Sequence, residues 1–167
     1  MISRSTPGRR SSGVELPPFQ RLLDDNRDAV YRYLVYTAGP NDADDCFQET
    51  WIAALRAYPR LRSADNLRGW LLKIAHNKAI DAHRARQRAP VPAEEVDPGA
   101  TDARPDPPDD ALWSAVHALP ERQRTAVILR FTFDLAYREM GQVMDSSEEA
   151  ARRNVFEGLK NLREVYA

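Results

Sequence analysis

Apolar residues recur every three or four positions through most of the chain, and no stretch alternates with a period of two long enough to make a convincing strand. Across roughly Pro18–Thr37, Phe19, Leu22, Leu23, Val30, Tyr33 and Leu34 supply one buried stripe of a helix. Gly39-Pro40 ends it, because glycine accepts left-handed backbone and proline then removes a donor. A second helix is expected from Asp42, whose carboxylate suits an N-cap. Its core face is Phe47, Thr50, Trp51, Ala54, Leu55 and Tyr58, and Pro59 closes it. Asp44, Asp45, Gln48 and Glu49 gather on a different face. The third helix runs from about Asn66 to Arg88, with Leu67, Trp70, Leu71, Ile74 and Ala75 inward.

The second half repeats the helical period with shorter elements. Helices are expected over about Asp109–Ala118, Glu121–Phe131, a short stretch within Leu135–Met144, and Ser147–Val165, with a turn at Asp145-Ser146. Short helix, tight turn and longer helix make the layout of a helix-turn-helix. Ala151, Val155, Gly158, Leu159, Leu162 and Tyr166 form the inward stripe of the last helix.

Three stretches lack this period. Residues 1–15 read as a disordered leader rich in Ser, Arg and Gly. Residues 89–110 contain Pro90, Pro92, Pro98, Pro105, Pro107 and Pro108 among acidic side chains, which makes a flexible, extended linker. Arg60–Asp65 is a short connection. The fold class is therefore all-α: two small helical domains, 16–88 and 111–167, on an acidic tether.

Charge sharpens that division. The formal net charge is only -1, yet the signs are segregated. Residues 1–14 carry +3, residues 15–55 carry -5, residues 56–88 carry +7, residues 89–110 carry -6, and the remainder balances. Blocks of alternating sign imply several separate charged surfaces. In the third helix Asn77, Asp81, Arg84 and Arg88 form a polar stripe flanked by Lys73, Lys78 and Arg86. Such a stripe can neutralise phosphates, and an amide such as Asn77 can read a base edge. The last helix carries Glu149, Arg152, Arg153, Phe156 and Lys160 outward; paired arginines fit guanine edges or phosphates, and Phe156 fits a thymine methyl.

Other chemistries find little support. The chain has 167 residues, one cysteine and no Gly-rich phosphate loop, so an intramolecular disulfide and a nucleotide-binding enzyme are both disfavoured. Cys46 reads as a structural thiol, and His76 and His83 lack a ligand pattern. Trp51, Trp70 and Trp113 read first as core, with one face of Trp70 available to DNA. No catalytic set, metal signature or cofactor motif emerges, so the chain is expected not to be an enzyme. Mean hydropathy is -0.60, no apolar run spans a bilayer, and the start lacks a signal-peptide core; a cytoplasmic protein without stable membrane association of its own is expected.

Taken together, the two halves resemble an extracytoplasmic-function sigma factor of bacterial RNA polymerase, within the sigma-70 family. Asp42-Ala-Asp-Asp-Cys-Phe-Gln-Glu-Thr-Trp51, followed by Ala57-Tyr58-Pro59, is similar to the family's polymerase-binding segment. Leu67-Arg-Gly-Trp-Leu-Leu-Lys-Ile-Ala-His-Asn-Lys-Ala-Ile-Asp-Ala-His-Arg84 resembles the segment that opens and reads the promoter's −10 element. Leu119-Pro-Glu-Arg-Gln-Arg124 and Leu135–Arg163 are similar to the domain that reads the −35 element.

The resemblance implies an N-terminal bundle of three to four helices like sigma region 2 and a C-terminal helix-turn-helix like region 4. It implies that Asp44, Asp45, Gln48 and Glu49 dock on the clamp helices of the polymerase's largest subunit. Arg62, Ser63 and Asn66 would belong to the pocket for a flipped base, and Trp70, Lys73, Asn77, Lys78, Asp81, Arg84 and Arg88 to the −10 surface. Arg122, Arg124, Arg138, Glu149, Arg152, Arg153, Asn154, Phe156 and Lys160 would serve the −35 element. An anti-sigma partner is implied as well, and the linker would thread the polymerase near its active site.

Departures from the family pattern bear on this. Asn154 and Glu157 stand where relatives often have basic residues, Asp145 stands where the turn commonly has Gly, and the second domain has no net charge. Weak DNA binding by the free protein is expected, with specificity appearing in the holoenzyme. The rivals are a helix-turn-helix regulator acting without polymerase and a sigma-like interaction protein with weakened DNA binding.

Overall fold

The computed structural model describes residues 15–88 and 110–166, and every regular element within them is helical. Helix α1 spans Phe19–Ala38, α2 Pro40–Ala57 and α3 Leu67–Arg88; α4 spans Asp110–Ala118, α5 Glu121–Phe131, α6 Tyr137–Val143 and α7 Glu148–Tyr166. A 3₁₀ turn over Tyr58–Arg60 follows α2. The expected leader and linker fall almost wholly outside the described residues.

Gly39 separates α1 from α2 with φ 88°, a backbone state that suits glycine, and Pro40 opens α2 at the first helical position. Asp42 therefore lies in the first turn of α2 and is not its N-cap. At the start of α3, Asn66 adopts φ 53° and its Oδ1 accepts from the Gly69 N–H at 3.1 Å, so the side chain satisfies an orphan donor of the helix. Asp145 turns the chain between α6 and α7 with φ 52°, the left-handed state Asp tolerates better than most residues. The hydroxyl of Ser147 then accepts from Ala150 N at 3.0 Å and caps α7.

Helices α1, α2 and α3 pack mutually around Val30, Leu34, Ala43, Ala54, Leu71 and Ala75; α5, α6 and α7 pack around Ala126, Leu129, Met140, Val143, Ala151 and Val155. Leu55 departs from the expected core face: it is 55% exposed. The helical period places it on the rim of α2, where apolar spacing alone does not separate a buried flank from a bare one.

The two bundles are not held only by a tether. Helix α3 packs on α6 and α1 on α5, joining both cores into one. Tyr36 stacks on Trp113 with centroids 4.2 Å apart, and Tyr33 meets Phe133 edge-on at 5.8 Å. Arg68 lies over the Phe133 ring at 5.4 Å. Tyr33 and Trp113 read in the sequence as the core of their own halves, and the structure shares them across the junction with Phe133 and Tyr36.

Candidate polymerase and promoter surfaces

The acidic face forms as expected. Asp44, Asp45, Gln48 and Glu49 are all exposed on α2, and the Tyr31 hydroxyl donates to Asp44 Oδ1 at 2.9 Å. The same stripe continues through Ile52 and Leu55, which are 51% and 55% exposed. The sequence reading missed Ile52 and buried Leu55, although their positions four and seven residues beyond Gln48 carry the signal. Acidic groups followed along one stripe by exposed aliphatic side chains make a surface suited to a basic, amphipathic helix.

Between α2 and α3 lies a groove of about 520 Å³ lined by Asp42, Asp45, Cys46, Glu49, Asp81 and Arg86. Arg86 pairs with Asp42 at 2.6 Å. Burial, then the charges of Asp42, Glu49, Asp45 and Asp81, push the Cys46 thiol up to about 11. The thiol is buried, lies 3.7 Å from the Lys78 carbonyl and stays protonated. Asp81, expected on the −10 surface, thus faces the acidic groove, because its position on α3 turns it toward α2.

Four of the remaining −10 candidates share one side of α3. Lys73, Asn77, Arg84 and Arg88 are exposed within a narrow sector, Trp70 is half-buried with its ring 6.3 Å from that of Tyr58, and Lys78 is half-buried toward α2. Arg62 and Ser63 are exposed in the preceding loop, where Ser63 Oγ accepts from Asp65 N at 3.1 Å. Asn66 belongs to that loop too, but its amide oxygen is occupied as the cap of α3.

On α7, Glu149, Arg152, Arg153, Phe156 and Lys160 all reach solvent on one face, Phe156 being 64% exposed. Asn154 is not among them: it is half-buried and its amide donates to the Ala150 carbonyl at 2.9 Å. Arg122 is exposed at the start of α5. Arg124 turns away from that face, donates to the His117 carbonyl at 3.0 Å and lines a crevice with His76 and His83. Arg138 lies across a shallow cleft of about 530 Å³ from Lys73, with Gln142, Asp145 and Glu148 beside it. The expected −35 set therefore divides into an outward α7 face and side chains that look toward the first bundle. Among the described residues, no group of three or more His, Cys, Asp or Glu is placed to hold a metal ion, and no helix is long and apolar enough to cross a membrane.

Residues 22–89 match the family model of Sigma-70 region 2, and residues 109–162 match that of Sigma-70, region 4. RNA polymerase sigma factor SigV of Bacillus subtilis (strain 168) is 27% identical over 84% of this chain and 86% of its own length. ECF RNA polymerase sigma factor ShbA of Streptomyces griseus is 33% identical over 74% of this chain and 73% of its own. ECF RNA polymerase sigma factor BldN of Streptomyces coelicolor is 30% identical over 92% of this chain and 62% of its own. Among solved structures, the sigma factor RpoE crystallised with the anti-sigma factor NepR from Bartonella quintana is similar with TM-score 0.72 at 20% identity, covering 89% of this chain and 96% of that one. CnrH in complex with the cytosolic domain of CnrY is similar with TM-score 0.66 at 20% identity, covering 89% and 86%. These two likenesses concern the fold.

The chain belongs to the sigma-70 family of RNA polymerase sigma factors. Within that family it stands with the extracytoplasmic-function group, and its work is transcription initiation through RNA polymerase and DNA.

Proposed function

We propose that residues 16–88 form the unit that docks on core polymerase and engages the −10 element, and that residues 111–167 form the −35 unit, with 89–110 connecting them through the polymerase. One observation carries this reading: α2 and α3 present an acidic-aliphatic stripe and a basic-polar stripe on different sides of one bundle. A protein that must hold a basic clamp helix and a DNA strand at once needs such separation, since like charges juxtaposed at an interface cost several kcal/mol. Asp45, Gln48, Glu49, Ile52 and Leu55 meet the polymerase. Lys73, Asn77, Arg84 and Arg88 meet the −10 strand, Arg62 and Ser63 border the flipped base, and Arg152, Arg153, Phe156 and Lys160 enter the −35 groove.

The factor performs no chemistry itself and acts in the cytoplasm, where polymerase and chromosome meet. An anti-sigma protein holds it inactive; the complex of the similar sigma factor RpoE with the anti-sigma factor NepR supports this. Run-off transcription with sigma-free core polymerase on a genomic promoter library tests the proposal. Start-site selection that depends on the added factor is expected, and its absence overturns the reading.

A further inference from the structure

Tyr137 opens α6, the first helix of the helix-turn-helix, and its half-buried ring is shared by two guanidinium groups. Arg130, from the end of α5, lies 4.8 Å from the ring centroid, and Arg152, from α7, lies 5.0 Å from it. Arg130 is itself fixed, donating to the Leu135 carbonyl at 2.9 Å. Arg152 is held a second time by Glu148, one turn earlier on α7, at 3.2 Å. The ring stands on firm backbone: Ala136 N donates to Glu139 Oε2 at 3.0 Å, and Leu135 N to the Leu129 carbonyl at 3.2 Å.

We propose that Tyr137 is a positioning residue for promoter readout: its ring presents Arg152 of α7 to the −35 base pairs in a fixed orientation. This rests on the assignment of the α7 face to the −35 element. An arginine side chain free in solvent samples many rotamers, and each ordered on binding subtracts from affinity. Planar guanidinium stacks on an aromatic face without giving up its outward N–H donors. The carboxylate of Glu148 is the exchangeable partner. It occupies the donor at Nη2 that a guanine edge or phosphate takes over, while the ring contact persists. The adjacent Arg153 has no such ring contact among the described residues, so the two neighbouring arginines differ: Arg152 is built for orientation, and Arg153 for charge.

The test is competitive transcription by the reconstituted holoenzyme over a pool of −35 variants, comparing wild type with Tyr137→Leu, Tyr137→Phe, Arg152→Ala and the double variant Tyr137→Leu/Arg152→Ala. Tyr137→Leu should lower discrimination about three- to tenfold, the size of an exposed to partly desolvated cation–π contact. The loss should fall at the same base pairs that Arg152→Ala affects. Tyr137→Phe should keep discrimination, and the double variant should match Arg152→Ala. Equal loss at every promoter, failure of Phe to substitute, or additive losses would overturn the proposal. If Arg152→Ala itself leaves −35 choice unchanged, the assignment of α7 falls instead. Nuclear-spin relaxation of the Arg152 Nε–H in the wild-type protein gives a readout independent of how Tyr137→Leu folds. A rigid bond vector that loosens little in Tyr137→Phe is expected, and a freely mobile one in the wild type overturns the idea.

Discussion

The Tyr33 hydroxyl lies 3.0 Å from Nδ1 of His76, a buried contact between α1 and α3 at the junction with the second bundle. Burial raises the phenol far above its ordinary value, so it stays protonated, and lowers the imidazole. Around His76 stand Thr37 of α1, Glu121, Arg122 and Arg124 of α5, Asp145 of the α6–α7 turn, and His83 on its own helix. Burial disfavours the charged ring and Arg122 adds to that, while Glu121 and Asp145 favour it; the neutral ring wins.

That balance sets a pH dependence. The unfolded chain protonates its histidines near 6.5, whereas the folded chain resists protonation at His76. Below 6.5 the unfolded state therefore binds more protons, so the stabilisation present above that value is lost as the pH falls. His117 acts with the same sign, through burial and then Arg124. Urea midpoints should decline from pH 7.5 to 5.5 and the decline should shrink in His76→Gln; an equal slope in that variant would contradict the account.

Phe133 couples the bundles. It is 4% exposed, with the Tyr33 ring against it and Arg68 over it. Truncation to alanine should cost about 3–5 kcal/mol, the usual range for a buried aromatic. The wild type should melt in one transition, while Phe133→Ala should separate into two. On the proposed assignment of the two units, elements named −10 and −35 lie about 25 base pairs apart, roughly 85 Å of duplex at 3.4 Å per pair. Helix α3, the longest element with 22 residues, is only about 33 Å long. The 21 residues between Arg88 and Asp110 could reach at most about 75 Å if fully extended, a length of the same order as that span, so Phe133→Ala should not weaken promoter binding by the holoenzyme.

Helix number, helix order and the turn at Asp145 were legible because each rests on local chemistry: period, proline and glycine positions, and a residue tolerant of left-handed backbone. The α7 face was legible for the same reason, since one helix fixes which side chains share a side. The placement of Asp81, Arg124 and Asn154 was not. Asp81 shares a stripe with basic neighbours and Arg124 and Asn154 lie outside the exposed stripes, so spacing alone does not tell that Asp81 meets an acidic groove and the other two a backbone carbonyl. Nor does periodicity tell an aromatic that fills its own bundle from one, such as Tyr36 or Trp113, that fills the joint between two.

Charge reversal at Asp45 and Glu49 separates docking from folding. Both are exposed, so Asp45→Lys/Glu49→Lys should keep its helical circular dichroism. Binding to core polymerase should weaken at least about 100-fold, given several kcal/mol for facing like charges. The same variant should lower the Cys46 thiol from about 11, because both carboxylates raise it. Thiol alkylation against pH reads that shift; a lowered thiol with undiminished polymerase binding would reject the docking face alone.

Gly141 offers the sharpest test of the helix-turn-helix geometry. A Cβ at this position would lie 2.8 Å from the Ser146 carbonyl oxygen, 3.1 Å from Ser147 C and 3.2 Å from Glu148 N. All three are backbone atoms, so the turn itself must move, along with the Ser146 N–H that donates to the Gly141 carbonyl at 2.8 Å. Gly158→Ala is the matched control: its Cβ would meet the Val127 side chain at 2.8 Å and strain the contact of α5 with α7 rather than the turn. Each substitution should cost about 1–3 kcal/mol of overpacking. Only Gly141→Ala should shift the N-terminus of α7, and with it the register of Arg152 and Arg153 on the promoter. Transcription from −35-dependent promoters should therefore fall further in Gly141→Ala than in Gly158→Ala at equal stability, with polymerase binding unchanged in both. Parallel losses in the two variants would mean that the turn contributes stability and not the placement of the reading face.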